Sequence, residues 1–306
     1  MFLNIFLLIL GFIMLVKGAD FFVDGAAGIA KRLRIPDLII GLTIVAMGTS
    51  APEAAVSIMA GLRGNAEITV GNIVGSNILN TFIILGVASV IICMWVQKST
   101  ALYEIPYMLS CSVLLLLLGL DGNINLSDGI ILWLGFIIYL VYLFFHARKH
   151  PEEISDTKQR KLLLEIAMTI GGLVILVIGS RLCVDGASGL ARYFGISERF
   201  IGLTIVALGT SLPELFTSVI AARKGNADIA VGNIVGSNIF NILFIVGTAS
   251  MLVNVPFDVK FIYDSIVMIA SAMLLFLFVV KRRKLDRLTG VVFLLCYAGY
   301  FTFILL

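Results

Sequence analysis

"AMGTSAPEAAV", residues 46–56, interrupts an apolar run that extends from about residue 38 to residue 62. Pro52 lacks a backbone N–H and clashes with the preceding helical turn, so it predicts a kinked or broken helix. Glu53 places a carboxyl group where a membrane helix should be most apolar, at a cost of about 2.5 kcal/mol or more at bilayer depth. A second copy, ALGTSLPELFT, occupies residues 207–217. Because both copies keep the glutamate, the stretch predicts a functional site.

The composition places the whole chain in a membrane. Of the 306 residues, 60% are hydrophobic and 13% are charged, and the mean hydropathy is +1.08. Soluble domains have about 45–50% apolar and 25% charged residues. The net charge of +3 lies in the connecting loops, where the lipid bilayer rather than nucleic acid explains it. The sequence therefore predicts an all-α polytopic membrane protein.

Ten apolar segments have the length that a hydrocarbon core of about 30 Å requires of a helix. These spans, numbered 1 to 10 in chain order, lie at about residues 2–29, 37–62, 67–94, 101–120, 127–147, 161–190, 198–222, 227–254, 260–280 and 288–306. The longest exposed segment, residues 148–160, is rich in charge. It is expected to divide the chain into a first five-helix repeat (1–147), a cytoplasmic linker (148–160) and a second five-helix repeat (161–306).

The distribution of Lys and Arg predicts the orientation of these spans. If both termini lie outside, the loops inside hold sixteen Lys and Arg residues and those outside hold four. Positive residues concentrate on the cytoplasmic side of membrane proteins. The protein is therefore expected in the plasma (inner) membrane of the cell. Both termini are expected outside, and the central loop in the cytoplasm.

The two halves of the chain repeat each other. A shift of 161 residues aligns residues 36–80 with 197–241, with 28 identities in 45 positions and no gap. Because each half holds an odd number of spans, the second half enters the membrane from the opposite side. Such inverted repeats are common in transporters, with the binding site at the midplane where interrupted helices meet. Spans 2 and 7 are expected to be broken, and spans 3 and 8 as well. No nucleophile–base pair or cofactor motif stands in the spans, so an enzyme is not expected.

The polar residues of spans 2, 3, 7 and 8 fall near one depth. Span 3 carries GNIVGSNILN (71–80) and span 8 carries GNIVGSNIFN (232–241). The spacing of Ser76 and Asn80, four residues apart, places both on one helix face. Ser50, Pro52 and Glu53 also match a helix-capping box. Capping explains the break, but a glutamine could cap without carrying a charge.

The chemistry of this cluster favours hard cations. Its donors are carboxylate, hydroxyl, amide and carbonyl oxygens, with no His or Cys among them, and such donors suit Ca²⁺, Na⁺ or Mg²⁺. The carboxylates of Glu53 and Glu214 balance one Ca²⁺ or two Na⁺. Competition of two ions for one site is the basis of an exchanger.

The doubled motifs GTSAPE…GNIVGSNILN and GTSLPE…GNIVGSNIFN resemble the two alpha repeats of the sodium/calcium exchanger family, within the calcium/cation antiporters. The resemblance covers nearly the whole chain and indicates a compact prokaryotic member. It implies that the glutamates bridge central cation sites that other motif residues complete. The implied ligands are Glu53, Glu214, Thr49, Thr210, Ser50, Ser211, Ser76, Ser237, Asn80 and Asn241, with the carbonyls of Ala46 and Ala207.

The resemblance also implies movement. In the family, spans 1 and 6 slide against the other eight to alternate access, and their Gly-rich faces suit that contact. The glycines concerned are Gly11, Gly18, Gly25, Gly171, Gly172, Gly179 and Gly186. Asp24 and Asp185 recur near the ends of these two spans and are expected to be structural. Lys17 and Asp20, three residues apart, are expected to pair with each other.

The leading hypothesis is an antiporter that exchanges Ca²⁺ for Na⁺, without a cofactor, and that acts as a monomer. Some family members carry Asp at one of the positions of Asn80 and Asn241, whereas this chain has Asn at both. Potassium dependence and stoichiometry therefore stay open. A Ca²⁺/H⁺ exchanger is the close alternative because buried glutamates can carry protons. A cation channel is the alternative from another class.

Overall fold

The structure, a computed structural model, describes residues 1–149, 161–195 and 207–305. Its helices are α1 (Phe2–Leu33), α2 (Asp37–Thr49), α3 (Ala51–Leu62), α4 (Glu67–Ile91), α5 (Thr100–Gly119), α6 (Leu126–Lys149), α7 (Leu162–Tyr193), α8 (Ala207–Thr210), α9 (Leu212–Arg223), α10 (Ala227–Leu252), α11 (Val259–Arg282) and α12 (Arg287–Leu305). Four two-residue strands join them: β1 (Met94–Trp95), β2 (Asn123–Ile124), β3 (Val255–Pro256) and β4 (Lys284–Leu285).

Most of the predicted spans correspond to observed helices. Within the described part of the chain, eight helices are long and apolar enough to cross a membrane, and each begins within one residue of its predicted start. The pair α2 and α3 forms a ninth candidate span, bent by 47° at the predicted break. Span 7, predicted at residues 198–222, lies partly outside the described residues. Only its end is seen, as α8 and α9.

Spans 3 and 8 are not broken, so that expectation is wrong. Helices α4 and α10 run without interruption and instead contain wider π-helical turns at Asn80–Ile84 and Asn241–Val246. Their motifs contain no proline, so every backbone N–H can still donate within the helix. The helix therefore widens at the asparagine without ending there. Such π-turns are frequent at functional sites.

Two small antiparallel sheets connect the two halves of the chain. Met94 pairs with Leu285 in one sheet, and Ile124 pairs with Val255 in the other. A shift of 161 residues converts either pair into the other. Helix α5 runs from β1 to β2, so the two sheets lie at opposite ends of one membrane-spanning helix.

Helices α4 and α10 form the centre of the molecule. In their most apolar 18-residue windows, 78% and 94% of the residues are buried, against 39% or less for the other long helices. Helix α10 also packs closely against α2. A Cβ added at Gly236 of α10 would contact the backbone of Leu42. The two GNIVGSN motifs thus lie in the most buried part of the protein.

Helices α1 and α7 pack against each other along their length. A Cβ at Gly18 would contact the backbone of Gly172 and Leu176, and one at Gly11 would contact Gly179. Six of the seven predicted glycines, all except Gly171, therefore line the contact between these two helices, which corrects the expectation that they face the other eight. The seven-residue spacing of Gly11, Gly18 and Gly25 places them on one side of α1, as in small-residue membrane contacts.

Lys224, which follows α9, links that helix to α1. Its Nζ lies 2.6 Å from Asp24 Oδ1 and 3.0 Å from Asp20 Oδ1. The expected pair between Lys17 and Asp20 is therefore wrong, because Asp20 pairs across helices. The contact of Asp24 agrees with its expected structural role.

Candidate functional site

Each doubled motif breaks its helix at the serine. Ser50 lies between α2 and α3 with φ −82° and ψ 7°, and Ser211 lies between α8 and α9 with φ −88° and ψ 3°. Pro52 occupies the first turn of α3, as the sequence predicts. Neither serine side chain caps the helix that follows it. The capping-box interpretation is therefore right about the position of the break and wrong about the hydroxyl.

The two serines cross over to the opposite carboxylates. Ser50 Oγ donates to Glu214 Oε1 at 3.0 Å, and Ser211 Oγ lies 3.5 Å from Glu53 Oε1. A hydrogen bond to a carboxylate is roughly twice as strong as one between neutral groups. This preference explains why the hydroxyls leave the backbone of their own helices. The two breaks thus meet, and both carboxylates belong to one site.

Both carboxylates are buried and incompletely bonded. Glu53 and Glu214 are each 1% exposed, and the Oε2 atom of each has no hydrogen-bond partner among the described residues. No Lys or Arg of that part of the chain forms an ion pair with either. Buried charges are ordinarily paired or bound to a metal ion. Each glutamate therefore keeps one oxygen that can act as a ligand of a cation.

Four asparagines form a second layer of the site. Asn80 Nδ2 donates to Asn238 Oδ1 and Asn241 Nδ2 donates to Asn77 Oδ1, each at 3.0 Å. Because both amide nitrogens are held in this way, the buried Oδ1 atoms of Asn80 and Asn241 have no hydrogen-bond partner in the part of the chain that the structure describes. Asn77 and Asn238 were not predicted as site residues. Their recurrence three residues before Asn80 and Asn241 is the signal that points to them.

The hydroxyls of Thr49 and Ser237 border the same region. Thr49 Oγ1 lies 3.0 Å from Asn233 Oδ1, and Ser237 Oγ donates to the Ala46 carbonyl at 3.3 Å. The Ala46 carbonyl also accepts from the backbone N–H of Ser50 at 3.0 Å. This predicted ligand is thus already hydrogen-bonded and would have to exchange hydrogen bonds for a cation. Ser76 is buried in α4.

The remaining predicted residues lie at the edge of the described chain. Thr210 is half-buried and, together with Pro52, lines a cavity of about 260 Å³ beside the two breaks. Arg181 and Asp185 of α7 line the opposite wall of this cavity. Ala207 begins the described stretch, and the contacts of its carbonyl lie outside what the structure describes.

Comparison with known proteins identifies the family. The sequence profile of the family described as "Sodium/calcium exchanger protein" matches residues 3–145 and again residues 164–306. The chain belongs to this exchanger family. The profile covers both halves, and it stops on either side of the charged segment at 148–160.

Several known proteins match this chain over most of their length. "Sodium/calcium exchanger MaX1" of Methanosarcina acetivorans is 32% identical over 97% of both chains. "Inner membrane protein YrbG" of Escherichia coli is 40% identical over 80% of this chain and 79% of its own. A solved structure of "the sodium-calcium exchanger NCX_Mj" matches with a TM-score of 0.86, 31% identity and 99% of both chains covered. The match extends to the overall arrangement of helices.

Four predicted ligands of this exchanger-family member each keep a buried oxygen that has no hydrogen-bond partner among the described residues. These oxygens are Glu53 Oε2, Glu214 Oε2, Asn80 Oδ1 and Asn241 Oδ1. All four are oxygens of the kind that Ca²⁺ and Na⁺ accept as ligands. The described residues contain no group of three or more His, Cys, Asp and Glu side chains that could hold a metal. A cation here would therefore combine two charged ligands with neutral ones.

Proposed function

We propose that this chain exchanges Ca²⁺ for Na⁺ across the plasma membrane by alternating access, and that the ions compete for the site between Glu53 and Glu214. One observation carries the proposal: two buried carboxylates on different broken helices meet through crossed serines, and each keeps an unpartnered oxygen. Two negative charges balance either one Ca²⁺ or two Na⁺. Occupation by one ion therefore removes the electrostatic reason for the other to bind.

The other proposed ligands surround this pair of carboxylates. The carboxylates bridge the central ion, and Asn80 and Asn241 supply neutral oxygens that suit an additional Na⁺. The full set comprises Glu53, Glu214, Thr49, Thr210, Ser50, Ser211, Ser76, Ser237, Asn80, Asn241 and the carbonyls of Ala46 and Ala207. Because the ligands come from both halves, ions from either side of the membrane can reach the site when spans 1 and 6 slide against the other eight.

The proposed architecture has ten spans. The repeats at 1–147 and 161–306 are related by an axis in the membrane plane, and a cytoplasmic linker at 148–160 joins them. The exchange of the two sheets by a 161-residue shift supports this arrangement, because it places equivalent strands at opposite ends of α5. Both termini lie outside in this arrangement. One copy of the chain contains a complete site, which supports a monomer as the functional unit.

The test is Ca²⁺ uptake into proteoliposomes that are loaded with Na⁺ and diluted into Na⁺-free medium. We expect the wild-type protein to accumulate Ca²⁺ only while the Na⁺ gradient lasts. Glu53→Gln and Glu214→Gln should each lower uptake by about a hundredfold or more, because removing one partner of a buried charge pair costs about 3–5 kcal/mol. Glu67→Gln is the matched control, since Glu67 is exposed and pairs with Lys260.

The same vesicles distinguish the alternatives. Uptake that follows a pH gradient without Na⁺ would replace the proposal with Ca²⁺/H⁺ exchange, which two carboxyl groups could also support. Uptake that needs K⁺ in addition to Na⁺ would identify a potassium-dependent exchanger. Ca²⁺ flux without any counter-ion would indicate a channel. Wild-type uptake by either glutamine variant would contradict the assignment of the site.

A further inference from the structure

A second cavity lies away from the exchange site, between α5 and α6. Its volume is about 350 Å³, within the range of small-molecule sites. Its walls consist mainly of tyrosine rings around one carboxyl group. The lining residues that matter here are Tyr103, Glu104, Tyr107, Tyr139 and Tyr142. None of them belongs to the proposed exchange site.

Glu104 brings an incompletely bonded carboxyl group to this cavity. Its side chain is fully buried, and Tyr142 Oη donates a hydrogen bond to Oε1. The second oxygen, Oε2, has no partner among the described residues, and the buried hydroxyl of Tyr139 has none either. No Lys or Arg of the described chain forms an ion pair with Glu104. A buried carboxylate without a cation is costly, so the cavity has the polarity of a cation site.

The cavity opens toward lipid near one membrane surface. Leu102 and Tyr103 on α5 and Ile138 on α6 line it and are exposed. Glu104 is the fifth residue of α5, and a rise of 1.5 Å per residue places it about 6 Å from the start of that helix. Tyr142 lies about 10 Å from the end of α6 by the same measure. The carboxyl group therefore lies close to the level of the lipid headgroups, within reach from the bilayer.

The walls favour an organic cation over a metal ion. Ca²⁺ takes six to eight oxygen ligands, whereas this cavity offers one free carboxyl oxygen and a few hydroxyls. Four of its lining residues are tyrosines, and the rings of Tyr107 and Tyr139 stack on each other with centroids 5.5 Å apart. Aromatic walls around a negative charge are typical of sites for ammonium groups.

We propose that this cavity binds an organic ammonium group, supplied from the bilayer by the headgroup of an aminophospholipid. The ammonium lies against Glu104 Oε2 and the tyrosine rings, while the acyl chains leave past Leu102 and Ile138. The equivalent positions of the second half carry different residues. A shift of 161 residues places Ser265 at the position of Glu104 and Met268 at that of Tyr107.

The experiment compares the wild-type protein with Glu104→Gln and Glu67→Gln in nanodiscs of equal phosphatidylethanolamine and phosphatidylglycerol. The lipids that stay bound after detergent release are counted by native mass spectrometry. We expect the wild type and Glu67→Gln to retain phosphatidylethanolamine preferentially. Glu104→Gln should retain about tenfold less, or lower still, because the ammonium loses a charged hydrogen-bond partner worth about 1.5–3 kcal/mol. Na⁺-driven Ca²⁺ uptake by Glu104→Gln should stay near the wild-type level and reports correct folding.

A second arm separates the lipid from a free amine. Ethanolamine should compete with the retained lipid, whereas the same concentration of KCl should not. If ethanolamine raises the melting temperature of the wild type but not of Glu104→Gln, and no lipid preference appears, the ammonium site stands with a free amine as its occupant, and the lipid source is wrong. Equal competition by KCl overturns the proposal.

A third variant covers the case in which Glu104→Gln does not fold. Ile138→Trp narrows the lipid-facing mouth and leaves the carboxyl group in place. It should lose phosphatidylethanolamine to a similar extent. If either folded variant, Glu104→Gln or Ile138→Trp, retains lipid and responds to amine like the wild type, Glu104 is only a buried hydrogen-bond acceptor for Tyr142, and the proposal fails.

Discussion

The hydroxyl of Ser50 donates to Glu214 rather than to the first turn of its own helix. A serine that caps a helix contributes about 1 kcal/mol to stability. A hydrogen bond to a charged group contributes about 1.5–3 kcal/mol, and in this case the gain is realised at the exchange site. A capping role of Ser50 predicts that its loss changes stability alone, whereas a role at the proposed exchange site predicts that the Ca²⁺ dependence of uptake changes too.

We expect Ser50→Ala to raise the Ca²⁺ concentration for half-maximal uptake by about tenfold or more, because Glu214 loses a bond worth about 1.5–3 kcal/mol. Because the same bond also stabilises the fold, the melting temperature should fall by several degrees as well, so the Ca²⁺ dependence separates the two roles. Ser89→Ala is the matched control, since Ser89 is equally buried and its hydroxyl bonds only to the Leu85 carbonyl. A lower melting temperature with unchanged Ca²⁺ dependence would show that Ser50 caps the helix after all.

Asp24 provides a contrast with the buried glutamates. It pairs with Lys224, and the two side chains are 38% and 28% exposed. Pairs of this kind contribute about 1 kcal/mol or less. Asp24→Asn should therefore keep the initial rate of Na⁺-driven uptake within about fivefold of the wild type. A loss as complete as that of Glu53→Gln would overturn its structural role.

At the scale of elements, the contact between α1 and α7 depends on individual glycines. A Cβ at Gly172 would lie 2.5 Å from the backbone nitrogen of Phe22, so the helices would have to separate. Overpacking of this kind costs about 1–3 kcal/mol. Gly172→Ala should lower the melting temperature measured in detergent by several degrees, and exchange should slow with it.

The neighbouring residue is the control for this substitution. Nothing lies within 4 Å of a Cβ at Gly171. Gly171→Ala should therefore match the wild type or gain slightly, because alanine is the better helix former. Equal losses from both substitutions would mean that helix flexibility, and not the contact between α1 and α7, is what glycine provides.

The helices themselves were predictable, since apolar length and the internal repeat fix where spans begin. The form of each helix interruption was only partly predictable. Pro52 removes a backbone donor, and the sequence therefore located that break. The turns at Asn80 and Asn241 keep all their donors, and whether a helix widens or ends there depends on the packing of α4 against α10. The direction of the Ser50 hydroxyl likewise depends on a carboxylate that lies 164 residues away in the chain.

At the scale of the whole molecule, the two halves are held together by contacts that no local pattern shows. The glycines were predicted to matter, but their partners were not, because facing glycines belong to helices far apart in the chain. The small sheets escaped prediction because two-residue strands carry no periodicity. The proposed ligands recur in both halves, and the doubled motif is the signal that predicts them.

The two small sheets also lead to a prediction about which side of the membrane each of their ends faces. Cys93 is exposed and immediately precedes β1, which pairs with β4, while Asn123 begins β2 and is exposed as well. Because α5 separates β1 from β2, the two positions should face opposite sides of the membrane. The excess of Lys and Arg in the loops around β1 and β4 predicts that Cys93 lies on the cytoplasmic side.

A membrane-impermeant maleimide should therefore label Cys93 in inside-out vesicles but not in right-side-out cells. Asn123→Cys, made in a Cys93→Ser background, should show the reverse. The other described cysteines, Cys111, Cys183 and Cys296, are buried or half-buried, and the Cys93→Ser protein alone measures their labelling. Labelling of both positions from one side would mean that α5 does not cross the membrane and that the inverted arrangement is wrong. Labelling of each from the side opposite to that expected would keep the inverted repeat and reverse the orientation, so that both termini would lie in the cytoplasm.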